Sequence, residues 1–250
     1  MEERDRYWVR IGGGLLESPG GRRYGPADAA HPPPGGPWQA LEEGGVLLGW
    51  TSGEATPRAI SFVREEAQRL QGAERAHLLQ RLGHKLRSSV LALQECARQA
   101  AFGRPELLQQ VYDEAQDVAR RAAAVEAAAL EPQDPARAVV LGAVLNLSAP
   151  DARRELPADA VVRGSEPVLV QALTRACDWV GGGQPVLIQG QRVGAWWRLQ
   201  ISSEQEPPAH SSIAEYGEPL VRLLVEDQLG GWLDTAAFPE GPIVVYLPAA

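Results

Sequence analysis

The residue whose setting most invites chemistry is His84. It lies in Leu79-Gln80-Arg81-Leu82-Gly83-His84-Lys85-Leu86-Arg87-Ser88-Ser89-Val90-Leu91-Ala92-Leu93, beside the only lysine of the chain. Leu79, Leu82, Leu86, Leu93 and Ala97 recur at the spacing of an amphipathic helix face. At about 100° per residue, His84 is roughly 200° around that helix from both Leu82 and Leu86. It points away from the seam, toward water or a partner, and spacing alone leaves a solvated surface histidine equally open. No other constellation competes. His31, His77, His84 and His210 are scattered without metal spacing, so no metal ligands are assigned. Cys96 and Cys177 form no CxxC or Cys/His pattern and read as small buried residues of a reducing compartment. Gly12-Gly13-Gly14 lacks the Lys-Ser/Thr and helix of a phosphate loop and reads as a turn.

The element that holds His84 is the longest helical pattern in the sequence. Thr56 is placed to cap it and Pro57 to open its first turn. Ile60, Val63, Ala67 and Leu70 begin a seam that runs, without an internal proline, to about Ala101. Phe102-Gly103-Arg104-Pro105 ends it. Leu107, Leu108, Val111, Ala115, Val118, Ala122 and Val125 then give a second stripe to about Leu130. Two long helices joined by a short turn form an antiparallel hairpin. Alone, the hairpin leaves a wide apolar face bare, and pairing two copies into a four-helix bundle buries it. A homodimer is therefore expected.

The flanking segments differ in character. Residues 1–56 are a small β-rich segment, with strand composition at Tyr7-Trp8-Val9-Arg10-Ile11 and Gly45-Val46-Leu47-Leu48-Gly49-Trp50 and turn residues between. A small antiparallel sheet near the following helix is expected; the segment loosely resembles the remnant of a GAF-type sensor domain. Glu131-Pro132-Gln133-Asp134-Pro135 reads as a linker. Beyond it, helical patterns at 136–148, 166–180 and 216–229 alternate with strand patterns at 160–163, 185–189, 195–201, 232–235 and 243–248. Helices on one face of a mainly antiparallel sheet make an α+β sandwich. The expected division is 1–56, a helical hairpin at 57–131 and the sandwich at 136–250.

Bulk properties narrow the function. A hydrophobic share of 44% and a charged share of 22% are those of an ordinary globular chain. The net charge of −8 argues against a general binder of nucleic acid or anionic membrane. No apolar run approaches the roughly 18 residues of a membrane span, and Met1-Glu2-Glu3-Arg4-Asp5-Arg6 is followed by no signal-peptide core. A cytoplasmic protein is expected.

Over residues 57–250 the order of parts resembles a sensor histidine kinase: a dimerising hairpin with an outward histidine, then an ATPase-like sandwich of the GHKL type. Gly83-His84-Lys85-Leu86-Arg87-Ser88-Ser89-Val90 resembles the family's H-box, commonly His-Glu-Leu-Arg-Thr-Pro-Leu, with His84, Leu86 and Arg87 matching. Val162-Arg163-Gly164-Ser165-Glu166 resembles the turn before the nucleotide-binding helix. Leu229-Gly230-Gly231-Trp232-Leu233 through Gly241-Pro242-Ile243-Val244-Val245-Tyr246-Leu247-Pro248 resembles the family's closing glycine pair and strands.

The departures from that pattern bear on the chemistry. Where the family has an acid that helps take the imidazole proton, this chain has Lys85, which accepts no proton while charged. The family's helix-bending proline is Ser89, which predicts a straighter helix. The asparagines that hold Mg²⁺ and phosphates become Arg175 and Trp179, and neither offers the oxygen that a hard cation needs. The Asp-x-Gly-x-Gly place falls at Ser203-Glu204-Gln205-Glu206-Pro207, without glycine. Pro208-Ala209-His210-Ser211-Ser212 leaves too few residues for a lid.

The resemblance, with these losses, implies a degenerate signalling protein that takes no nucleotide cofactor. Its bundle would dock response-regulator receiver domains or a partner histidine kinase. It would act as scaffold or inhibitor, or as a phosphotransferase through His84. Gln80, Arg81, Lys85 and Arg87 would form the partner surface, and a lysine at position 85 suits an acidic or phosphorylated partner. Ser88 stands where the family positions a hydrolytic water. Two other readings stay open: an active sensor kinase with an atypical ATP site, and an unrelated coiled-coil dimer with an interaction role. Trp179 and Trp232 are expected either to fill the space of a nucleotide or to pack as ordinary core. Trp196-Trp197 are expected to put one ring in the core and one at an interface or surface.

Overall fold

The computed structural model describes residues 6–18, 20–26, 31–102, 104–129, 137–182, 184–203 and 217–250. The linker expected at 131–135, the Asp-x-Gly-x-Gly place from residue 204 onward and the residues after it to 212, His210 among them, lie outside the described residues. The chain divides into two compact units, Met1–Gly72 with Pro132–Ala250, and Ala73–Glu131.

The first unit begins with five short strands, β1 (Tyr7–Ile11), β2 (Gly14–Ser18), β3 (Arg23–Tyr24), β4 (Gln39–Glu43) and β5 (Val46–Thr51). They form one antiparallel sheet in the order β3-β2-β1-β5-β4. Alternation along β1 sorts its residues between two small cores. Val9 joins Leu41 against Ala59 and Val63 of the long helix. Trp8 joins Leu15, Leu47 and Trp50, with Tyr24, Trp38 and Ala40 packed around them. The sheet expected beside the helix is present, and it holds three more strands than composition alone marked.

Helix α1 (Pro57–Ala101) is 45 residues long. Pro57 opens it, and the Ala59 N–H donates to Thr56 Oγ1 at 3.2 Å, the capping bond expected of Thr56. A single 3₁₀ turn, Pro105–Leu107, leads into α2 (Leu108–Ala129). No described helix is long and apolar enough to cross a membrane.

The remainder of the first unit is β6 (Arg137–Val140), α3 (Leu141–Ser148), β7 (Arg153–Glu155), β8 (Val161–Gly164), α4 (Glu166–Gly181), β9 (Val186–Val193), β10 (Trp196–Ser203), α5 (Gly217–Arg222), β11 (Trp232–Asp234) and β12 (Ile243–Pro248). Past Arg222, α5 widens into a π-helical turn, Leu223–Gln228, closed by the Leu229 N–H to the Leu224 carbonyl. One sheet runs β11-β12-β10-β9-β7, antiparallel except where β7 lies parallel to β9; β6 and β8 pair separately. Ile188, Leu199, Ile201, Val245 and Leu247 of the sheet are buried, as are Leu169, Leu173, Leu220 and Leu224 of the helices. Gly182 ends α4 in the left-handed conformation at φ 57°, its N–H on the Asp178 carbonyl at 2.9 Å. The architecture is α+β.

Three local expectations change. The helix expected from residue 136 begins at Leu141, because Val139 and Val140 pair as strand with Val162 and Val161. The strand expected at 185–189 runs on to Val193, so the turn into the next strand is Gly194-Ala195. The buried stripe of α1 in the second unit centres on Leu78, Leu82 and Ser89. Leu79, Leu86 and Leu93 are half-buried beside it, and Ala97 is exposed.

Candidate functional site

His84 is exposed, as the spacing predicts. At about 100° per residue it stands some 120–160° around α1 from Leu78, Leu82 and Ser89. Gln80, Arg81, Arg87 and Ser88 are exposed as well, while Lys85 is half-buried. The positions within one helical turn of His84 on its own face are therefore Gln80, Arg81, Arg87 and Ser88, none of them an acid. With Lys85 they give the imidazole three cationic neighbours along the helix and no carboxylate within one turn of it on α1.

Ser88 is already engaged. Its hydroxyl donates to the His84 carbonyl at 3.1 Å, the back-bond of a helical serine. The oxygen keeps its lone pairs as acceptors.

The face extends further than the sequence reading placed it. Ser88, Leu91, Glu95, Arg98 and Phe102 follow His84 at alternating steps of four and three, which keeps them within about 40° of it. Leu91 is 59% exposed and Phe102 81%. Between them Arg98 donates to Glu95 at 2.7 Å, and Gln99 donates to the same carboxylate. Arg98 foremost, then Gln99, hold the Glu95 carboxyl down at about 2. The signal for this face was the four-three spacing on the outward side, which is readable only once the outward side is assigned.

In the first unit, α4 carries the two residues that stand at the resemblance's Mg²⁺ and phosphate positions. Arg175 faces Asp178 at 3.8 Å. Trp179 is 5% exposed and meets the Phe238 ring at 4.9 Å between centroids, tilted by 51°. Gly217, the first residue of α5, lies against the same indole: a Cβ there would come within 2.5 Å of Trp179 Cγ. The Trp179 indole therefore lies between the first residue of α5 and the Phe238 ring. Trp232 does not share that place; it packs against Gly14, Gly25 and Arg23 of the N-terminal sheet. Trp197 is core, and half-buried Trp196 reaches the β1–β2 turn at Gly13.

Cys177 is buried, and burial pushes its thiol up to about 12; Cys96 is half-buried. Among the described residues no group of three His, Cys, Asp or Glu side chains is arranged to hold a metal ion.

No family model matches the chain, and no curated protein matches it. Solved structures do. The histidine kinase ThkA, determined in complex with the response regulator protein TrrA, is similar over all of this chain and 80% of that one, at 12% identity and a TM-score of 0.52. The Acinetobacter baumannii histidine kinase AdeS is similar over 66% of this chain and 97% of that one, at 14% identity and a TM-score of 0.48. A bacterial phosphotransferase is similar over 70% and 95%, at 13% identity and a TM-score of 0.39. The fold of this chain is that of a histidine kinase.

Proposed function

We propose that the protein is a two-component signalling protein of histidine-kinase type that works without binding ATP. It pairs through the α1–α2 hairpin into a dimeric four-helix bundle and docks a response-regulator receiver domain or a partner histidine kinase on the face around His84. The division into a β-rich segment (1–56), a hairpin (57–131) and a degenerate sandwich (136–250) belongs to the same reading. The observation that carries it is the exposed imidazole among Arg81, Lys85 and Arg87, with no acid within a turn to take its proton. The aromatic filling around Trp179 supports the loss of the nucleotide. The exposed Leu91, Phe102, Leu108 and Tyr112 of the hairpin support an association surface.

Within this reading the docking role leads and phosphotransfer through His84 is the second option. An exposed imidazole is free to take a phosphoryl group from a receiver aspartate, with its nitrogen forming the new bond as the aspartyl oxygen leaves. Calorimetric titration of the full chain tests the leading role. Receiver domains purified from the same organism should bind, and Mg-ATP should give no heat to millimolar concentration. Micromolar Mg-ATP binding would overturn it. Incubation with a phosphorylated receiver domain tests the second option: acid-labile label on the protein, absent from His84→Ala, supports transfer. Sedimentation at micromolar concentration should show a dimer.

A further inference from the structure

The first unit holds a contact that the kinase resemblance does not call for. The two-residue turn Gly12-Gly13 between β1 and β2 rests on the Gly230-Gly231 turn before β11. The Gly13 N–H donates to the Gly231 carbonyl at 2.5 Å. The approach requires bare backbone. A Cβ on Gly12, whose φ is 57°, would overlap the Glu226 carbonyl; one on Gly13 would come within 2.7 Å of the Trp196 ring. A Cβ on Gly14 would overlap the Trp232 ring, and one on Gly25 would come within 2.6 Å of it. Gly13, Gly14 and Gly25 thus form a bed for two indoles of the sandwich, and Gly12 rests on its backbone at Glu226 and Gly231.

Arg23 of β3 closes the contact. Its guanidinium lies 4.6 Å from the centre of the Trp232 ring and pairs with Glu226. Glu226 is 2% exposed and also accepts from Arg222 at 2.8 Å and from the Leu233 N–H at 3.2 Å. A buried carboxylate with this set of donors is held firmly, and losing one partner leaves charge uncompensated. The same N-terminal sheet is also packed, through Val9 and Leu41, against Ala59 and Val63 of α1. It therefore touches both the first turns of the helix and the sandwich.

We propose that the N-terminal sheet is an intramolecular clamp that fixes the sandwich to the first turns of α1 as one rigid body, with Arg23, Glu226 and Trp232 as its latch. The sandwich then has no swing of its own relative to that part of the helix. This goes beyond the proposed function and holds whatever docks at His84.

Pulsed electron–electron resonance on the full chain tests the clamp. Spin labels go on Val46→Cys of the sheet and Val193→Cys of the sandwich, both exposed in the parent, with Cys96→Ser removing the accessible thiol. The otherwise unchanged protein should give one narrow distance. Gly14→Val drives a side chain into Trp232, and Arg23→Met removes the ion pair and the stacked cation; each should widen the distribution at least about twofold. A broad distribution before either change, or one that stays narrow in both variants, overturns the proposal. Because Arg23→Met introduces no overlap, it serves if Gly14→Val does not fold.

Discussion

Gly217 and Trp179 are in direct contact: a Cβ on Gly217 would lie 2.5 Å from the indole Cγ and 2.6 Å from Cδ1. The absence of a side chain at the start of α5 is what lets the indole approach its backbone this closely. Trp179→Ala should therefore cost about 3–5 kcal/mol in urea unfolding, the range for emptying a large buried aromatic site. It should not produce Mg-ATP binding in calorimetry, because neither Arg175 nor the new alanine puts an oxygen ligand at the two places where the resemblance has asparagines. Millimolar or tighter binding in the variant would show that Trp179 alone excludes the nucleotide. Gly217→Ala should cost about 1–3 kcal/mol through overpacking at the same contact.

Acid sensitivity should centre on Glu17. It is 6% exposed, and Arg22 (2.5 Å) and Arg6 both donate to it. Arg22 first and Arg6 second hold its carboxyl down at about 2, against burial pushing the other way. A carboxylate whose folded value is depressed contributes stability above its unfolded value of 4.5, and that stability is lost as pH falls from 4.5 toward 2. Because water around the two arginines screens the pairs, the contribution is about 1–2 kcal/mol. Urea midpoints measured at pH 7, 4 and 2.5 should fall in that window. Glu17→Gln should already be lower at pH 7 and should flatten the dependence.

The two thiols should separate cleanly. Cys177 is buried and its thiol is raised to about 12, chiefly by burial and then by Asp178, so almost none is thiolate at pH 8. Cys96 is half-buried on α1. Iodoacetamide at pH 8 should add one label to the native protein, located at Cys96 by mass spectrometry, and two in denaturant. Two labels on the native chain would mean that α4 opens readily.

Long-range periodicity made much of this fold legible in the sequence. α1 is read to within a residue at both ends because Thr56-Pro57 and Phe102-Gly103-Arg104-Pro105 are strong local stop and start signals. His84 is read as outward because its neighbours Leu82 and Leu86 fix the opposite side. β7 was not legible: Arg153–Glu155 is three charged residues whose strand geometry comes from pairing with β9, a contact that no local pattern encodes. The bed of glycines against Trp196 and Trp232 was hidden for a related reason. Gly12-Gly13-Gly14 and Trp232 are more than 200 residues apart, and a glycine run looks like any turn until its partner is known. Ser88 was legible as a position on the outward side, while its back-bond to the His84 carbonyl appears only once the helix geometry is in place.

The docking face should respond to charge before it responds to the imidazole. Along α1 the stretch 80–88 holds Arg81, Lys85 and Arg87 and no acid. Lys85→Glu introduces the acid that the kinase resemblance places after the histidine and replaces one of three cations with an anion. If the partner presents acidic or phosphorylated groups, affinity for a receiver domain should fall about 5–10-fold at low salt, a change of about 1 kcal/mol. The gap between parent and variant should narrow at 0.5 M salt, where exposed charges are screened. His84→Ala removes an exposed side chain, so stability should shift by less than about 0.5 kcal/mol. Its receiver affinity should stay within about twofold if the surface alone is used, and fall well beyond that if the imidazole itself is gripped. Titration calorimetry at both salt concentrations separates the two, and an affinity raised by Lys85→Glu would reverse the charge assignment of the whole face.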